Sequence, residues 1–325
     1  MFGTLLGALP LPPAELGDPL DAVLRAQEAA GLEPVTDGRL GAPDLLELAV
    51  GLDGVERLPD GRLRLRRLPT RTRPLAVDAW TTAASRTARA VKQALPGPYS
   101  LLRRLELGGH DPGKVVAALA AALHEEALDL AAAGCPLVEI EETEAHRIGE
   151  DDAERRRFRQ AHAIVASGVP THLSLSIVGG SAASAGVATI VGAPYASLAV
   201  DLIAGPDNWY LVVGTPGDRG IVAGVFEPRV GSDDRPELPV WAANYAASTG
   251  GRGLARVGLG TAGGYANLTW AIAERKLSRL GEAAHIAGLP AAGQMAALDP
   301  RAVDIRTAAL GRSAPPPKRA PRRRP

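Results

Sequence analysis

The sequence predicts an α/β protein, a (β/α)8 TIM barrel that carries a small β-hairpin insertion. Short apolar runs of strand length alternate with longer amphipathic stretches along most of the chain. Eight such runs over about 310 residues is the number that a (β/α)8 barrel requires. The predicted strands are residues 3–9, 33–37, 93–99, 137–141, 171–177, 197–203, 220–226 and 255–259.

The stretches between these runs have the amphipathic pattern of helices that cover a sheet. We predict helices at residues 14–30, 112–133, 151–167 and 265–287. Asp111 and Pro112 suit the N-cap and the first position of the second helix, and Gly134 suits its end. A doubly wound open sheet would produce the same local alternation, so periodicity alone leaves that second architecture open.

One insertion and one tail interrupt the pattern. Apolar and polar residues alternate around Asp60-Gly61, which is a strong signal for a β-hairpin. We therefore expect a two-stranded arm at about residues 54–67, on a single barrel domain of residues 1–312. Residues 313–325 are rich in proline and arginine and cannot form a core, so we expect a disordered basic tail.

The composition is that of a soluble protein with an ordinary charge content. The chain has 325 residues, of which 46% are hydrophobic, and its formal net charge is zero, so it lacks the basic surface of a nucleic-acid-binding protein. No apolar run reaches the roughly 18 residues of a membrane span. Cys135 is the single cysteine, and the first residues lack the basic segment of a signal peptide. We therefore expect a cytoplasmic protein without a nucleic-acid or membrane partner.

Polar residues directly follow several of the apolar runs, where barrel enzymes place their sites. Glu141 and Glu142 end the fourth predicted strand, and Glu139 shares a face with Glu141 because side chains alternate along a strand. Two adjacent buried carboxylates could bind an amino group or share a proton. Alternatively, both are solvated residues that open an acidic loop with Glu144.

Six segments, taken in order, resemble the cobalamin-independent methionine synthase family and, more distantly, uroporphyrinogen decarboxylase. They are Thr4-Leu5-Leu6-Gly7-Ala8-Leu9-Pro10, Val35-Thr36-Asp37-Gly38, the segment from Lys92 to Ser100, the segment from Ala133 to Glu142, Gly224-Val225-Phe226-Glu227, and the helix with Ala271, Glu274, Lys276 and Leu277. The resemblance covers nearly the whole predicted barrel and implies the same (β/α)8 fold. Arg39 stands where the family usually has an acidic residue after its Asp-Gly pair.

The resemblance also implies a set of site residues at the carboxyl ends of the strands. His172, Glu141 and Arg229 become the candidate catalytic residues. The candidate substrate-binding residues are Gly7, Ala8, Asp37, Lys92, Glu142 and Glu227. Arg229 stands where the family has a basic residue that assists methyl transfer. Because an arginine is not a proton donor at neutral pH, we expect Arg229 to bind a carboxylate or phosphate.

The zinc ligands of the family are only partly retained. The matching positions hold His172, Ser174, Asp201 and Ala262, so serine and alanine replace the two cysteines. His172 and Asp201 remain as candidate metal ligands. Catalytic zinc sites have three protein ligands, and alanine supplies none. Zinc is therefore a possible but disfavoured cofactor, and the cofactor content is otherwise unknown.

These features lead to one main hypothesis and two alternatives. The main hypothesis is a methyl- or alkyltransferase that moves a one-carbon group from methyl-tetrahydrofolate, methylcobalamin or a corrinoid protein to a small amino-acid-like acceptor. The alternatives are a metal-free decarboxylase or lyase on the same barrel, and a barrel that binds a ligand without catalysis. In the first case we expect His172, Glu141, Asp201 and Arg229 to converge on one cavity at the carboxyl ends of the strands.

Overall fold

A computed structural model describes residues 1–232 and 234–299 of the chain. The predicted tail at residues 313–325 and the last part of the predicted barrel domain lie outside the described residues. Within them, seven parallel strands form the main sheet. These strands are β1 (Phe2–Thr4), β4 (Gln93–Pro96), β6 (Leu137–Glu142), β7 (His172–Ile177), β8 (Ser197–Asp201), β9 (Gly220–Phe226) and β10 (Val257–Thr261). Their order across the sheet is β1, β10, β9, β8, β7, β6, β4. The predicted α/β class is confirmed.

The predicted strand at residues 33–37 is not a regular member of this sheet. Its one bridge joins Val35 to Val91. The segment nevertheless bonds to the backbone at both edges of the sheet: Glu33 N donates to Gly3 O at 2.9 Å, and Lys92 N donates to Val35 O at 3.0 Å. Pro34 has no N–H group to add to a ladder, which explains why the pairing is interrupted. The described residues therefore contain seven regular parallel strands rather than the predicted eight.

A second, smaller sheet lies beside the first. Strands β2 (Asp53–Arg57) and β3 (Leu63–Thr70) pair antiparallel, and the short β5 (Leu105–Glu106) pairs parallel to β3. The turn between β2 and β3 contains Gly61 at a φ of 86°, a conformation that glycine adopts without strain. Asp60 supports the turn because its carboxylate accepts a hydrogen bond from Arg62 N at 3.0 Å.

Helices connect the strands and cover the outer face of the main sheet. Their bounds are α1 (Pro19–Ala29), α2 (Val77–Ala84), α3 (Pro98–Arg104), α4 (Pro112–Ala132), α5 (Asp152–Val165), α6 (Val187–Ile190), α7 (Trp209–Gly214), α8 (Glu237–Ser248), α9 (Trp270–Gly288) and α10 (Ala291–Ala297). Side-chain caps begin α1, α4 and α5, where Asp18, Asp111 and Asp151 accept backbone N–H bonds. Among the helices of the described residues, none combines the length and apolarity of a transmembrane span.

The register of the strands separates the two faces of the sheet. Ile140, Leu175, Leu198 and Ile221 are successive partners on the outer face and belong to the main core. On the inner face, small and polar residues pair across the strands instead: Glu139 with Ser174, Ser174 with Ser197, and Ser197 with Gly220. This row of the inner face, near the amino ends of the strands, therefore lacks the bulky branched side chains that usually fill a barrel.

The apolar part of the inner face is a small cluster, which we call the plug. It consists of Leu6, Ala199 and Val222, with Phe2 packed against it. Along β8, Ala199 lies between Ser197 and Asp201, and along β9, Val222 lies between Gly220 and Gly224. The plug therefore divides the inner face into an upper part at the carboxyl ends of the strands and a lower part at their amino ends.

We predict that Gly281→Ala destabilises the protein although alanine favours helices. Helix α9 packs against α1, and a Cβ atom at Gly281 would lie 1.7 Å from the backbone oxygen of Ala30. Separating the two helices should cost about 1–3 kcal/mol, which exceeds the helix-propensity gain of at most ~1 kcal/mol. Thermal unfolding followed by circular dichroism measures the effect.

The matched control is Gly288→Ala in the same helix, where the new Cβ would meet Met1 at an ordinary 3.5 Å. This variant should unfold close to the wild-type temperature. Equal stability of the two variants would contradict the close packing of α1 and α9.

Candidate functional site

A cavity of about 420 Å³ opens at the carboxyl ends of the parallel strands, and we call it the mouth cavity. It lies where parallel α/β sheets bind their ligands. The residues that line it and bear on its chemistry are Gly7, Ala8, Arg39, Glu141, Asp201, Ala262 and Gly264. Its charged lining residues are Arg39, Glu141, Asp201 and, at the rim, Asp44, which pairs with Arg104. Alanine and glycine form much of the remaining wall.

The strongest polar contact in the mouth cavity is a buried ion pair between Arg39 and Glu141. Arg39 Nη1 donates to Glu141 Oε1 at 3.0 Å, and Nη2 donates to Oε2, which makes the pair bidentate. Both side chains are less than a tenth exposed. Burial lowers the pKa of Arg39, but the charge and hydrogen bonds of Glu141 outweigh burial and raise it above its ordinary value. Arg39 is therefore a fixed cation.

Asp37 positions Arg39 for this contact. The Asp37 carboxylate accepts a hydrogen bond from the backbone N of Arg39 at 2.8 Å. Arg39 has a φ of 55°, a left-handed conformation that is uncommon outside glycine. The predicted substrate-binding residue Asp37 thus acts on the backbone that presents Arg39. In the sequence, Arg39 is notable only as a departure from a family motif. Its partner Glu141 lies 102 positions later in the chain, so the sequence analysis did not connect the two residues.

Asp201 is a second buried carboxylate in the mouth cavity. It ends β8 and is 2% exposed. Oδ1 accepts hydrogen bonds from Ile203 N and Ala204 N, both at 2.9 Å, whereas Oδ2 has only a long contact of 3.4 Å to Gly179 N. Burial raises the pKa of Asp201, the backbone hydrogen bonds oppose this shift, and the charge of Glu227 adds to it. Asp201 therefore has an increased affinity for a proton.

The wall of the mouth cavity beside β1 and β10 consists of backbone. A Cβ atom at Gly7, which has a φ of 90°, would lie 2.4 Å from Gly264 Cα, so a larger residue cannot replace this glycine. Tyr265 N also donates to Ala8 O at 2.6 Å. The loops after β1 and β10 are thus held in direct contact. Gly7 and Ala8 both line the cavity, as the sequence analysis expects of substrate-binding residues.

The structure places His172 far from the mouth cavity, which corrects the expected convergence of four residues. His172 begins β7 rather than ending it, and its Nε2 lies 2.8 Å from Ser197 Oγ at the amino end of the sheet. Five residues separate it from the end of that strand, a distance of roughly 16 Å at 3.3 Å per residue. Burial lowers the pKa of His172. Of the four residues expected to converge, Glu141 and Asp201 line the mouth cavity, whereas His172 and Arg229 do not.

Arg229 and Glu227 are also placed differently from the expectation. The Arg229 side chain is 71% exposed and pairs with Glu227 at the protein surface, with 3.0 Å between Nε and Oε1. Pro228, between them, lines the mouth cavity. The turn after β9 therefore directs the guanidinium into solvent. Glu227 acts on the cavity through its charge, which raises the pKa of Asp201.

Glu142 and Lys92, two further predicted substrate-binding residues, have other partners. Glu142 lies on the outer face, because side chains alternate along β6, and it accepts hydrogen bonds from Tyr99 N at 3.0 Å and Ser100 N at 2.7 Å. His162 Nε2 lies 2.9 Å from Glu142 Oε1, the oxygen that also accepts from Tyr99 N. Lys92 pairs with Glu139 at the amino end of the sheet. Neither side chain lines the mouth cavity.

The zinc positions implied by the family resemblance do not meet. His172 and Ser174 lie in the lower part of the inner face, whereas Asp201 and Ala262 line the mouth cavity. Cys135 is buried before β6, with its Sγ 3.2 Å from Leu137 O. Across residues 1–232 and 234–299, no group of three or more His, Cys, Asp or Glu side chains could hold a metal ion. These residues do not fit a zinc site of the family type.

Comparison with known proteins gives one match in sequence and several in fold. No protein-family model matches the chain. A 5-methyltetrahydropteroyltriglutamate–homocysteine methyltransferase from Corynebacterium efficiens is 30% identical over 171 residues, which cover 47% of this chain and 23% of the relative. The match thus spans about a quarter of the length of that relative.

Three solved structures resemble this chain at 16% identity, a level that shows the fold alone. A B12-independent methionine synthase from Shewanella in complex with selenomethionine has a TM-score of 0.75, with 95% of this chain and 98% of that chain covered. A putative vitamin-B12-independent methionine synthase from Listeria monocytogenes has a TM-score of 0.69 and coverages of 86% and 96%. A methyltransferase from Methanosarcina mazei reaches 0.54, with coverages of 86% and 94%.

We predict that Glu142→Gln reduces stability without changing binding in the mouth cavity. Tyr99 N and Ser100 N donate to different oxygens of Glu142, so the glutamine NH2 group would oppose one of these two N–H donors in either orientation. Loss of the negative charge would also weaken the contact with His162. A buried hydrogen-bonded group changed in this way should cost about 1–3 kcal/mol. Urea denaturation measures the cost, and Glu150→Gln, at an exposed position in the following loop, is the matched control. An unchanged free energy of unfolding in Glu142→Gln would contradict its structural role.

Proposed function

Because the chain resembles the cobalamin-independent methionine synthases both in sequence and in fold, as its six motif segments predicted, we propose that it is a methyltransferase. In this proposal, the methyl group comes from methyl-tetrahydrofolate, methylcobalamin or a corrinoid protein. The acceptor is a small amino-acid-like molecule, and the reaction takes place in the mouth cavity. The Corynebacterium relative is named for methyl transfer to homocysteine. Its greater length leaves the donor and acceptor of this chain as proposals.

The observation that carries the proposal is that Asp201 and the Arg39–Glu141 pair line the same cavity. Asp201 is a buried carboxylate with a raised pKa and an oxygen, Oδ2, that has room for a ligand donor. Glu141 occupies two of the five N–H donors of Arg39, and the remaining donors can bind a carboxylate. A cavity with both features suits a molecule that bears an amino group and a carboxylate.

Methyl transfer in this cavity requires a nucleophile that loses its proton. The acceptor heteroatom attacks the methyl carbon with its electron pair, a new bond forms to that carbon, and the bond between the methyl group and the donor breaks. The broken bond leaves its electron pair on the donor. Asp201 takes the proton of the acceptor, because its raised pKa makes it a better base than an exposed aspartate. Arg39 holds the acceptor in place, and no step is assigned to zinc.

We also propose that residues 1–312 form one closed (β/α)8 domain that functions in the cytoplasm. The hydrogen bonds from Glu33 to β1 and from Lys92 to Val35 support the closure, since they link both edges of the sheet through residues 33–37. With Cys135 as its single cysteine, the chain cannot form an internal disulfide, which supports a reducing compartment.

We predict that Asp201→Asn lowers kcat/KM about 100-fold or more, which is the usual contribution of a general base. The assay mixes purified protein with methyl-tetrahydrofolate or methylcobalamin and a panel of amino acids with free amine or thiol groups. Appearance of the methylated acceptor is measured by mass spectrometry. Asp207→Asn, an exposed position in the loop after β8, is the matched control and should retain wild-type activity.

The pH profile gives a second readout of the same variant. Wild-type activity should rise as the pH increases through the raised pKa of Asp201, because the base must be ionised. The folded state binds this proton more tightly than the unfolded state, so ionisation above that pKa disfavours folding. Asp201→Asn should therefore remain at least as stable as wild type at pH 7. Binding of amino acids without a methylated product from any donor would instead support a non-catalytic barrel, and release of CO2 would support a lyase.

A further inference from the structure

A second cavity of about 420 Å³ lies at the amino ends of the strands, and we call it the basal cavity. Its inner lining includes Phe2, Thr4, Lys92, Glu139, Ser174 and Val222. The cavity opens to solvent beside the exposed residues His172, Asp218 and Arg256. It is separated from the mouth cavity by the plug of Leu6, Ala199 and Val222, which crosses the inner face between them.

The basal cavity exists because the inward residues near the amino ends of the strands are small. Ser174, Ser197 and Gly220 are successive partners on β7, β8 and β9, and none of them reaches across the barrel interior. Gly258 on β10 lies against the ring of Phe2, where an added Cβ atom would come within 2.3 Å. The phenyl ring therefore forms one wall, and open space remains beside it.

Two polar groups in this cavity are buried without a partner. Lys92 Nζ bonds to Glu139 Oε2 at 2.8 Å, and both side chains are at most 3% exposed. The other oxygen of this carboxylate, Oε1, receives no hydrogen bond from the part of the chain that the structure describes. The same holds for the hydroxyl of Ser174, which lies directly opposite Glu139 in the register of β6 and β7. Leaving such groups unpaired costs free energy, so this pair is suited to a bound molecule.

We propose that the basal cavity binds a small, uncharged and mostly apolar organic molecule with one hydroxyl or N–H group. That group donates to Glu139 Oε1, and where it is a hydroxyl it also accepts from Ser174 Oγ. The opposite charges of Lys92 and Glu139 cancel, so a net charge on the ligand would have no counter-ion. The apolar part of the ligand packs on Phe2, Leu137 and Val222, which line the same space.

Matched probes test this chemistry on the full-length protein by isothermal titration calorimetry. Phenol and toluene have nearly the same shape, but only phenol carries a hydroxyl, and indole offers an N–H group on a larger frame. We expect phenol and indole to bind with one-to-one stoichiometry and toluene to bind at least tenfold more weakly. Equal affinities for phenol and toluene, or an absence of saturable binding at millimolar phenol, would overturn the proposal.

Two serines on the same strand provide matched variants. Ser174→Ala removes the unpaired hydroxyl of the basal cavity and should weaken phenol binding about two- to tenfold, as expected for one lost hydrogen bond. Ser176→Ala removes a similarly buried hydroxyl that does not line this cavity, and it should leave binding unchanged. Equal effects of the two variants would contradict the assigned site. Ser174→Leu should occupy the space beside Glu139 Oε1 and abolish binding.

Binding in the basal cavity is independent of the proposed methyl transfer. Asp201→Asn changes the mouth cavity beyond the plug, so it should leave the phenol affinity at its wild-type value. A loss of phenol binding in Asp201→Asn would show that the probe occupies the mouth cavity and would overturn the proposal. If methyl transfer is absent but phenol binding persists with the expected serine effects, the basal site stands without the proposed activity.

Discussion

The in-register pairing of the parallel strands determines which side chains face the interior and line the two cavities. Because β6, β7, β8 and β9 pair without a shift, Glu139, Ser174, Ser197 and Gly220 form one inward row. The next row contains Glu141, Ser176, Ala199 and Val222. A slip of one residue in any strand would turn its inward side chains toward the helices. Both cavities and the plug between them therefore depend on this register.

The two inward glutamates of β6 are neutralised by cations from different parts of the chain. Lys92, just before β4, pairs with Glu139, and Arg39, in the loop after residues 33–37, pairs with Glu141. A buried ion pair loses much stability when either partner is removed, because the remaining charge is uncompensated. These pairs consequently link the segment before β4 and the loop after residues 33–37 to β6, the strand next to the edge strand β4. Within residues 1–232 and 234–299 no cation forms an ion pair with Asp201, and burial raises its pKa.

The similarity to methionine synthases supports the proposed reaction, methyl transfer. The arrangement of the inner face instead supports the roles proposed for individual residues. The fold places a cavity at the carboxyl ends of the strands, and Asp201 and Arg39 line it. The residues at the family's metal positions are divided between the two ends of the sheet, so the proposed transfer depends on the carboxylate of Asp201 as its base. The same small side chains that prevent a zinc site, Ser174 and Ala262, create space in the two cavities.

The sequence by itself determined the alternation of strands and helices, the Asp60-Gly61 turn and the family resemblance, because each depends on local periodicity or short motifs. Glu141 and Asp201 could be assigned to the cavity because they end apolar runs, and Gly7 and Ala8 because their segment resembles the opening strand of the family. The predicted strand at residues 171–177 already has His172 near its start. Only the tertiary structure, through its strand pairing, showed that this end lies away from the mouth cavity, where Asp201 is. It also decided that Arg39 meets Glu141, since an ion pair between residues 102 positions apart forms only after the sheet has curled and brought them together.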